Sequence, residues 1–343
     1  HIHPFSHTLV RYSLLKEHLM PRIAISQLHD GDYLDQSFIL SDKQLGTTST
    51  NKIYIKADCG DATGRINLRL WNAPRDMYDK LPTSGYVHVK GRVENYQGHL
   101  QLVADSIVPI TDYSKIDISE LIRSTQRSVP QMFARVKEIL ATVRDADLKA
   151  LLQCYLDDAE LMKLFTIAPA AAAMHHAWIG GLLEHTHDLM ELATLICPRY
   201  ADIDQDLVLT GLFLHDLAKT RELTYTVGFD YSDAGKLVGH IVMGVVWLNQ
   251  KAAALATQRG TPIRKELLTV LEHILLSHHG VPEFGSPIVP KTPEAILINL
   301  IDNLDAKTRM ALDAVNAPCE DSTWTEYQRA FETKLYRPTV TQG

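Results

Sequence analysis

The sequence predicts a multidomain protein, with a small all-β barrel near the N-terminus and an all-α helical bundle after it. Short runs of alternating apolar residues, separated by glycine-containing turns, fill roughly the first third of the chain. From residue 129 onward, apolar residues instead recur at spacings of three, four and seven, which is typical of amphipathic helices. The length of 343 residues is enough for two ordinary domains.

Changes in composition and pattern divide the chain into five segments. Charged residues interrupt the apolar positions before Met20, so the pattern predicts no convincing secretory signal there, and we do not expect the histidines of this segment to bind metal. The predicted segments are a leader or upstream sequence at 1–19, the barrel domain at 20–111, a helical connector packing on the bundle at 112–168, the bundle at 169–320, and a C-terminal helix and tail at 321–343.

The predicted barrel is built from four or five short strands. Gly64 lies between two of the alternating runs and predicts a hairpin, and Gly98 marks a second turn. The clearest alternating runs are 52–58, 65–71, 86–93 and 99–103. The spacing of these runs, and the Gly-x-Val-x-x-Tyr-x-Gly path from Gly91 to Gly98, resemble an OB-fold.

OB-folds bind single-stranded nucleic acid by stacking bases on exposed aromatic side chains within a basic groove. The candidate stacking platforms are Tyr54, Trp71, Tyr86 and Tyr96, and the candidate phosphate contacts are Lys56, Arg65, Arg69, Lys90 and Arg92. Aromatic residues in strands are more often barrel core, and this alternative stays open for each of them. Residues 21–110 contain ten Lys and Arg and ten Asp and Glu residues, so we expect a local binding face and not a generally basic domain.

The connector begins with a polar stretch at 112–128, and residues 129–165 read as two helices. These helices offer no chemistry of their own. The chemistry is expected further on, where His215 and Asp216 stand side by side in an apolar helical run with Lys219 one turn later. An imidazole and a carboxylate are costly to bury unless they are paired, hydrogen-bonded or holding a metal.

Other histidines and an aspartate point toward the same interior. His185, His240, His278 and Asp302 each share a predicted helix face with apolar residues. A single histidine on such a face is usually a satisfied core residue. With the His215-Asp216 pair, these make five such groups on five predicted helices, and together they favour a metal centre instead. A set of imidazoles and carboxylates without thiolates suits Zn, Mn or Fe.

The order His185, His215-Asp216, Asp302 resembles the H…HD…D signature of the HD-domain metal-dependent phosphohydrolases, and His240 and His278 resemble the extra ligands of HD proteins that hold two metals. More specifically, the chain is similar to the YhaM family of 3′-to-5′ exoribonucleases from about Met20 onward. The segments that carry this similarity are 176–186, 239–241, 277–280 with 285–287, 293–295 and 302–307. The resemblance implies an exonuclease with 3′-to-5′ polarity and a preference for RNA.

Within that expectation the ligands divide into two sets. We expect His185, His215, Asp216 and Asp302 to hold the first metal, and Asp216, His240 and His278 to hold the second. Asp216 would bridge the two ions, and His279 is either a ligand or a neighbour of one. Lys219 would neutralise the scissile phosphate, its alternative being a solvated lysine at a helix end. Two divalent ions would serve phosphodiester hydrolysis at this site. Mn is the most favoured metal, and Fe, Co, Zn and Mg are alternatives.

Two other functions stay open at this stage. The first is a phosphohydrolase acting on nucleotides or cyclic dinucleotides, with a barrel that only regulates or assembles the protein. The second is a non-catalytic module that binds single strands, which the complete ligand set argues against. Single-stranded DNA is a further substrate to consider beside single-stranded RNA.

Composition limits the environment of the protein. Four isolated cysteines without a C-x-x-C pair indicate reduced thiols in a cytoplasmic protein. No apolar run approaches the ~18 residues that a membrane span needs. The net charge of −7 argues against a generally basic nucleic-acid binder. Whether the protein is a homo-oligomer is left open.

Overall fold

The structure is a computed structural model, and it describes residues 22–48, 50–112, 116–171, 178–224, 230–317 and 323–337. The chain divides into two compact units, residues 1–121 and 122–343. This division falls later than the boundary expected after residue 111, because a short helix at Ile118–Leu121 packs against strands of the first unit. The histidines at 175 and 176 and the cysteine at 319, noted in the sequence, lie outside the described residues.

The first unit is a closed five-stranded barrel, as the sequence predicts. Its strands are β1 (Tyr33–Thr47), β2 (Ile53–Asp61), β3 (Gly64–Leu70), β4 (Gly85–Tyr96) and β5 (His99–Pro109). Neighbouring strands follow the order β1-β2-β3-β5-β4, with β1 next to β4, and among these pairs only β3–β5 is parallel. A helix, α1 (Arg75–Lys80), lies between β3 and β4, and α2 (Ile118–Leu121) follows the last strand.

Alternation of side chains explains the barrel core. In β2 and β3, Ile55, Ala57, Ile66 and Leu68 point inward and are buried, while the residues between them face outward. Gly91 lies at an irregularity in the β4–β5 pairing, where a Cβ atom would approach the backbone oxygen of Val103 to 2.3 Å. A side chain at this position would therefore break the closure of the barrel.

The second unit is helical and is built around one buried helix, α7 (Gln205–Leu214). All residues of α7 from 207 to 214 are buried, and Phe213 packs edge-on against Phe165 and Tyr155. The helices are α3 (Val129–Ala141), α4 (Ala146–Leu156), α5 (Ala159–Ile167), α6 (Gly181–Ile196), α7 (Gln205–Leu214), α8 (Lys219–Glu222), α9 (Asp233–Leu237), α10 (Gly239–Arg259), α11 (Lys265–Ser277) and α12 (Pro293–Asn316). A short ribbon, β6 (Leu223–Thr224) with β7 (Asp230–Tyr231), joins α8 to α9.

Side-chain caps fix where several of these helices begin. Asp145, Asp158 and Asp204 each accept a hydrogen bond from the first turn of α4, α5 and α7, respectively. The cap on α7 sets the register of that helix, and therefore the position of His215, which directly follows it.

The C-terminal segment differs from the sequence prediction of a helix after residue 321. Described residues 323–337 contain a 3₁₀ turn at Arg329–Phe331 and antiparallel bridges that pair Trp324 with Tyr336 and Gln328 with Thr333. Aromatic and β-branched residues in this segment favour extended pairing over a helix. Among the described residues, no helix is both long enough and apolar enough to cross a membrane.

Candidate metal centre

Five helices deliver the predicted ligands to one buried point of the second unit. His185 lies on α6, His240 is the second residue of α10, and Asp302 lies on α12. The other ligands directly follow helix ends: His215 and Asp216 follow α7, and His278 and His279 follow α11. Residues just beyond a helix end are free of the helical repeat, so adjacent pairs turn toward the same centre.

Asp216 lies at the middle of this cluster and is 3% exposed. Its Oδ2 atom lies 3.7 Å from Nε2 of His185 and 3.4 Å from Nε2 of His215. Its Oδ1 atom lies 3.3 Å from Nε2 of His240 and 3.6 Å from Nε2 of His278. The two oxygens of one carboxylate therefore face two different pairs of imidazoles.

The remaining predicted ligands extend these two sets. Oδ1 of Asp302 lies 3.3 Å from Nε2 of His185, on the Oδ2 side of Asp216. His279 joins the other side, where one donor atom from each of four residues lies within 4.8 Å of the others; these residues are Asp216, His240, His278 and His279. The structure thus brings all seven predicted ligands together.

The far side of each imidazole is held by an acceptor. Nδ1 of His215, His278 and His279 each lies 2.8 Å from a backbone oxygen, those of Leu212, Leu275 and Phe284 respectively. A backbone carbonyl only accepts, so these Nδ1 atoms carry the proton and donate it. In a neutral imidazole, the Nε2 atom then has no proton, and its lone pair is free to bind a metal at the centre.

Whether the site suits a metal is decided by its unpaired atoms. Within the described residues, four buried atoms of the cluster have no hydrogen-bond partner: Nε2 of His215, His240 and His278, and Oδ1 of Asp216. Lone pairs that converge in a buried space repel one another unless a cation lies between them. The cluster therefore fits a divalent metal.

Protonation states agree with this conclusion at two of the ligands. Burial lowers the pKa of His215 to about 4, and burial together with the adjacent His278 lowers the pKa of His279 to about 3. Both rings are therefore neutral at physiological pH. Although its burial acts in the opposite direction, Asp216 has a pKa well below the usual range because of Lys219 and His215.

His185 behaves differently in the protein without metal. Burial would lower its pKa, but hydrogen bonds to Asp302 and Asp305 outweigh burial and raise the pKa to about 9. At neutral pH both ring nitrogens of His185 are therefore protonated. Metal binding has to displace one of these protons, because a metal ligand must be the neutral imidazole.

Lys219 lies at the centre, as its place in the sequence predicts, but the structure gives it a specific partner. Its Nζ atom lies 2.7 Å from Oδ2 of Asp216, and its side chain is only 16% exposed. Burial opposes protonation of this amine, yet the Asp216 carboxylate prevails and raises the pKa of Lys219. Contact with a substrate phosphate stays a prediction.

Sequence reasoning missed two carboxylates that support the ligands. Glu222 accepts a hydrogen bond from Nδ1 of His240 at 2.9 Å, and Oδ2 of Asp305 lies 3.4 Å from Nδ1 of His185. Asp305 had a signal, since it lies one helical turn after Asp302. Glu222 had none, because it precedes its partner by 18 residues, with the β6–β7 ribbon and α9 between them.

On the barrel, four of the predicted nucleic-acid contacts share the outer face of β2 and β3, and a fifth, Trp71, directly follows β3 on the same side. The rings of Tyr54 and Trp71 lie 4.9 Å apart, and the Arg69 guanidinium lies 5.4 Å and 5.8 Å from their centres. Trp71 is 43% exposed. Lys56 pairs with Arg69 across the strands, and Arg65 extends the same outward row. We call these five residues the β2–β3 face.

The other predicted contacts lie elsewhere on the barrel. Lys90 and Arg92 are on β4, and Nζ of Lys90 lies 2.8 Å from Oδ2 of Asp35. Tyr96, at the end of β4, is 54% exposed. Tyr86 is 1% exposed, so its assignment as a stacking platform is wrong. Its backbone direction is outward, but that side of β4 is covered at this point.

A closed five-stranded barrel, followed along the chain by a helical unit with a buried H…HD…D centre, is the arrangement of HD-domain proteins that carry an OB-fold. The family model of the HD domain matches residues 182–307, and the family model of an OB-fold nucleic acid binding domain matches residues 40–110. Both halves of the predicted fold class are confirmed.

Similar proteins identify the family within that class. The 3′-5′ exoribonuclease YhaM of Bacillus subtilis is 30% identical over 316 residues, which cover 91% of this chain and 97% of that protein. The protein of the same name from Geobacillus sp. strain WCH70 is 32% identical over 310 residues, covering 90% and 93%. The chain belongs to the YhaM family, as its sequence motifs predict.

Proposed function

We propose that this protein is a metal-dependent 3′-to-5′ exoribonuclease that hydrolyses single-stranded RNA to nucleoside 5′-monophosphates. The observation that carries the proposal is the placement of Asp216, whose two oxygens face separate pairs of histidines. The names of the similar proteins support the polarity and the substrate.

The ligand sets give each residue a proposed role. His185, His215, Asp216 and Asp302 would hold one divalent ion, and Asp216, His240, His278 and His279 would hold the other; Mn is our preferred metal. Such a pair of ions supplies an activated water and neutralises charge on the phosphoryl and leaving oxygens of a phosphodiester. Asp216 is suited to a shared role because Lys219 keeps its carboxylate ionised.

Once His185 is a neutral metal ligand, Lys219 is the positively charged side chain that remains at the centre among the described residues. It is protonated, largely buried and hydrogen-bonded to Asp216. An incoming phosphate diester would meet this fixed positive charge in a site with little water, where electrostatic stabilisation is stronger than in bulk solvent. We assign Lys219 the role of stabilising charge on the scissile phosphate.

The β2–β3 face is the proposed contact for the single strand. Two adjacent aromatic rings offer stacking surfaces, and Arg69 and Lys56 offer positive charge beside them. Stacking does not depend on the sugar, so single-stranded DNA is a second proposed ligand.

A cytoplasmic location is proposed because Cys59, Cys154 and Cys197 are all free thiols.

The proposal is tested with single-stranded RNA labelled at its 5′ end and incubated with Mn²⁺. A ladder that shortens from the 3′ end, with nucleoside 5′-monophosphates as products, is expected. EDTA and Asp216→Asn should each abolish the ladder, while the matched substitution Asp202→Asn should leave it unchanged. Intact RNA under every condition, or shortening from the 5′ end, would overturn the proposal.

A further inference from the structure

The imidazoles of the metal centre are supported in two distinct ways. His215, His278 and His279 donate their Nδ1 protons to neutral backbone oxygens. The Nδ1 atoms of His185 and His240 instead face carboxylates, those of Asp305 and Glu222. One of these two histidines belongs to each side of Asp216, so each half of the centre contains a single ligand backed by a negative charge.

Glu222 fixes His240 through both its backbone and its ring. The same oxygen, Oε1, accepts from the backbone N–H of His240 and from its Nδ1, each at 2.9 Å. The first contact caps α10, whose preceding residue, Val238, provides no side-chain cap. The second contact fixes the ring orientation. Glu222 is 7% exposed, so these hydrogen bonds compete little with water.

The surrounding chain is shaped to hold Glu222 in place. A Cβ atom at Gly235 would lie 2.3 Å from the backbone oxygen of Glu222, so only glycine permits α9 to pack this closely. Gly239 has φ of +77°, a conformation that favours glycine, directly before His240. Both glycines let α10 begin on top of the Glu222 carboxylate.

Asp305 supports the other half through a divided carboxylate. Its Oδ2 faces Nδ1 of His185 at 3.4 Å, and its Oδ1 accepts from Nε of Arg309 at 3.0 Å. Arg309 also pairs with Asp188, which binds Arg127. Asp305 therefore shares its charge with an arginine, whereas Glu222 directs both of its hydrogen bonds to His240.

We propose that Glu222 and Asp305 are positioning residues that set the metal affinity of the two halves independently, Glu222 for the His240 half and Asp305 for the His185 half. A carboxylate behind a metal-bound histidine fixes its tautomer and makes the ring a stronger donor, and losing one costs about 10- to 100-fold in metal affinity. The effect of Glu222 should be the larger, because both of its hydrogen bonds go to His240, whereas Asp305 is also hydrogen-bonded to Arg309. The inference rests on the two-metal centre proposed above.

The test measures metal binding to the full-length protein directly, by calorimetric titration with Mn²⁺ and by counting bound metal after equilibrium dialysis. Glu222→Gln is nearly the same size as glutamate and keeps one oxygen acceptor for His240, while it removes the negative charge and replaces the other oxygen with an amide nitrogen. We expect two ions in the unsubstituted protein, and one tight ion plus one bound about 10- to 100-fold more weakly in Glu222→Gln. Asp305→Asn should weaken one site as well, and the exposed control Glu266→Gln should weaken neither.

Double substitutions assign the affected half. Combined with His240→Ala, Glu222→Gln should cause no further loss of metal; combined with His185→Ala, it should weaken the site that remains. Asp305→Asn should show the reverse pattern. Equal weakening of both sites by either substitution, or unchanged binding in Glu222→Gln, would overturn the inference while leaving the proposed nuclease intact. An unsubstituted protein that binds no metal would instead remove the proposed function itself.

Discussion

Nζ of Lys219 lies 2.7 Å from Oδ2 of Asp216, on the side of the carboxylate that faces His185 and His215. The lysine thus contacts the same oxygen that the first proposed metal would use. Metal binding and transition-state stabilisation are often lost together when a residue of a metal centre is replaced. Lys219 is a cation and not a metal ligand, so its substitution should affect transition-state stabilisation without affecting metal binding.

Replacing Lys219 with Met should lower kcat on single-stranded RNA by about 100-fold, in the range seen when one preorganised donor is removed from an active site. Bound Mn²⁺ should stay at the level of the unsubstituted protein, since no ligand is lost. Single-turnover kinetics and metal counting on the same sample check both parts. Undiminished kcat would show that Lys219 has no part in the chemistry.

Removing metal should destabilise the helical unit. Without an ion, four potential metal-binding atoms that lack a hydrogen-bond partner and a protonated His185 remain buried. A ligand present at 100 times its dissociation constant stabilises a fold by about 2.7 kcal/mol. The midpoint temperature of thermal unfolding should therefore rise when Mn²⁺ is added to protein that was treated with EDTA. In His240→Ala the shift should be smaller, and an identical shift in that variant would place the stabilising ion elsewhere.

Substituting Trp71 with Ala should weaken binding of single-stranded RNA about tenfold, because one stacking contact is worth roughly 1–3 kcal/mol. The salt dependence of binding should not change. Arg69→Ala should also weaken binding, but it should reduce the slope of affinity against salt by about 0.7, as expected for one phosphate contact on a single strand. Fluorescence anisotropy at several salt concentrations distinguishes the two. Lys80→Ala, at an exposed position in α1, serves as the control, and equal salt slopes in all three variants would contradict the assignment.

Stability toward acid should depend on Asp147, outside the metal centre. Although burial opposes it, hydrogen bonding by Arg264 and Arg259 lowers the pKa of Asp147 to about 2. A carboxyl group whose folded pKa is below its unfolded value of ~3.9 stabilises the fold above that value, and the contribution is lost as the pH falls toward 2.

Asp147→Asn should therefore be less stable than the unsubstituted protein at pH 7, by about 1 kcal/mol given its partly exposed partners. The difference should disappear near pH 2. Urea unfolding across this pH range, with EDTA present throughout, is the measurement. A stability difference that does not vary with pH would assign the effect of the substitution to packing and not to charge.

Helical periodicity directs some of the predicted ligands to the buried centre, because a polar group on an apolar helix face has to be satisfied within the core. His185 and Asp302 follow this rule on α6 and α12. The support behind the ligands is harder to predict. Glu222 reaches His240 only because the chain folds back through Gly239 at positive φ, a tertiary contact that no helical repeat encodes.

The barrel shows the same limit of local patterns. Alternation correctly places Tyr54, Arg69 and Trp71 on one outer face of β2 and β3. It also gives Tyr86 an outward direction, yet this side chain is buried. Alternation specifies which way a side chain points, but not whether another part of the chain covers that side of the strand.

Asp216 is proposed to bridge two divalent ions, and anomalous X-ray diffraction from crystals soaked in Mn²⁺ locates such ions without relying on activity. We expect two anomalous peaks about 3.5–4 Å apart, one beside Oδ2 near His185 and one beside Oδ1 near His240, as in other two-metal centres. A single peak, or two peaks that both lie away from the Asp216 carboxylate, would contradict it.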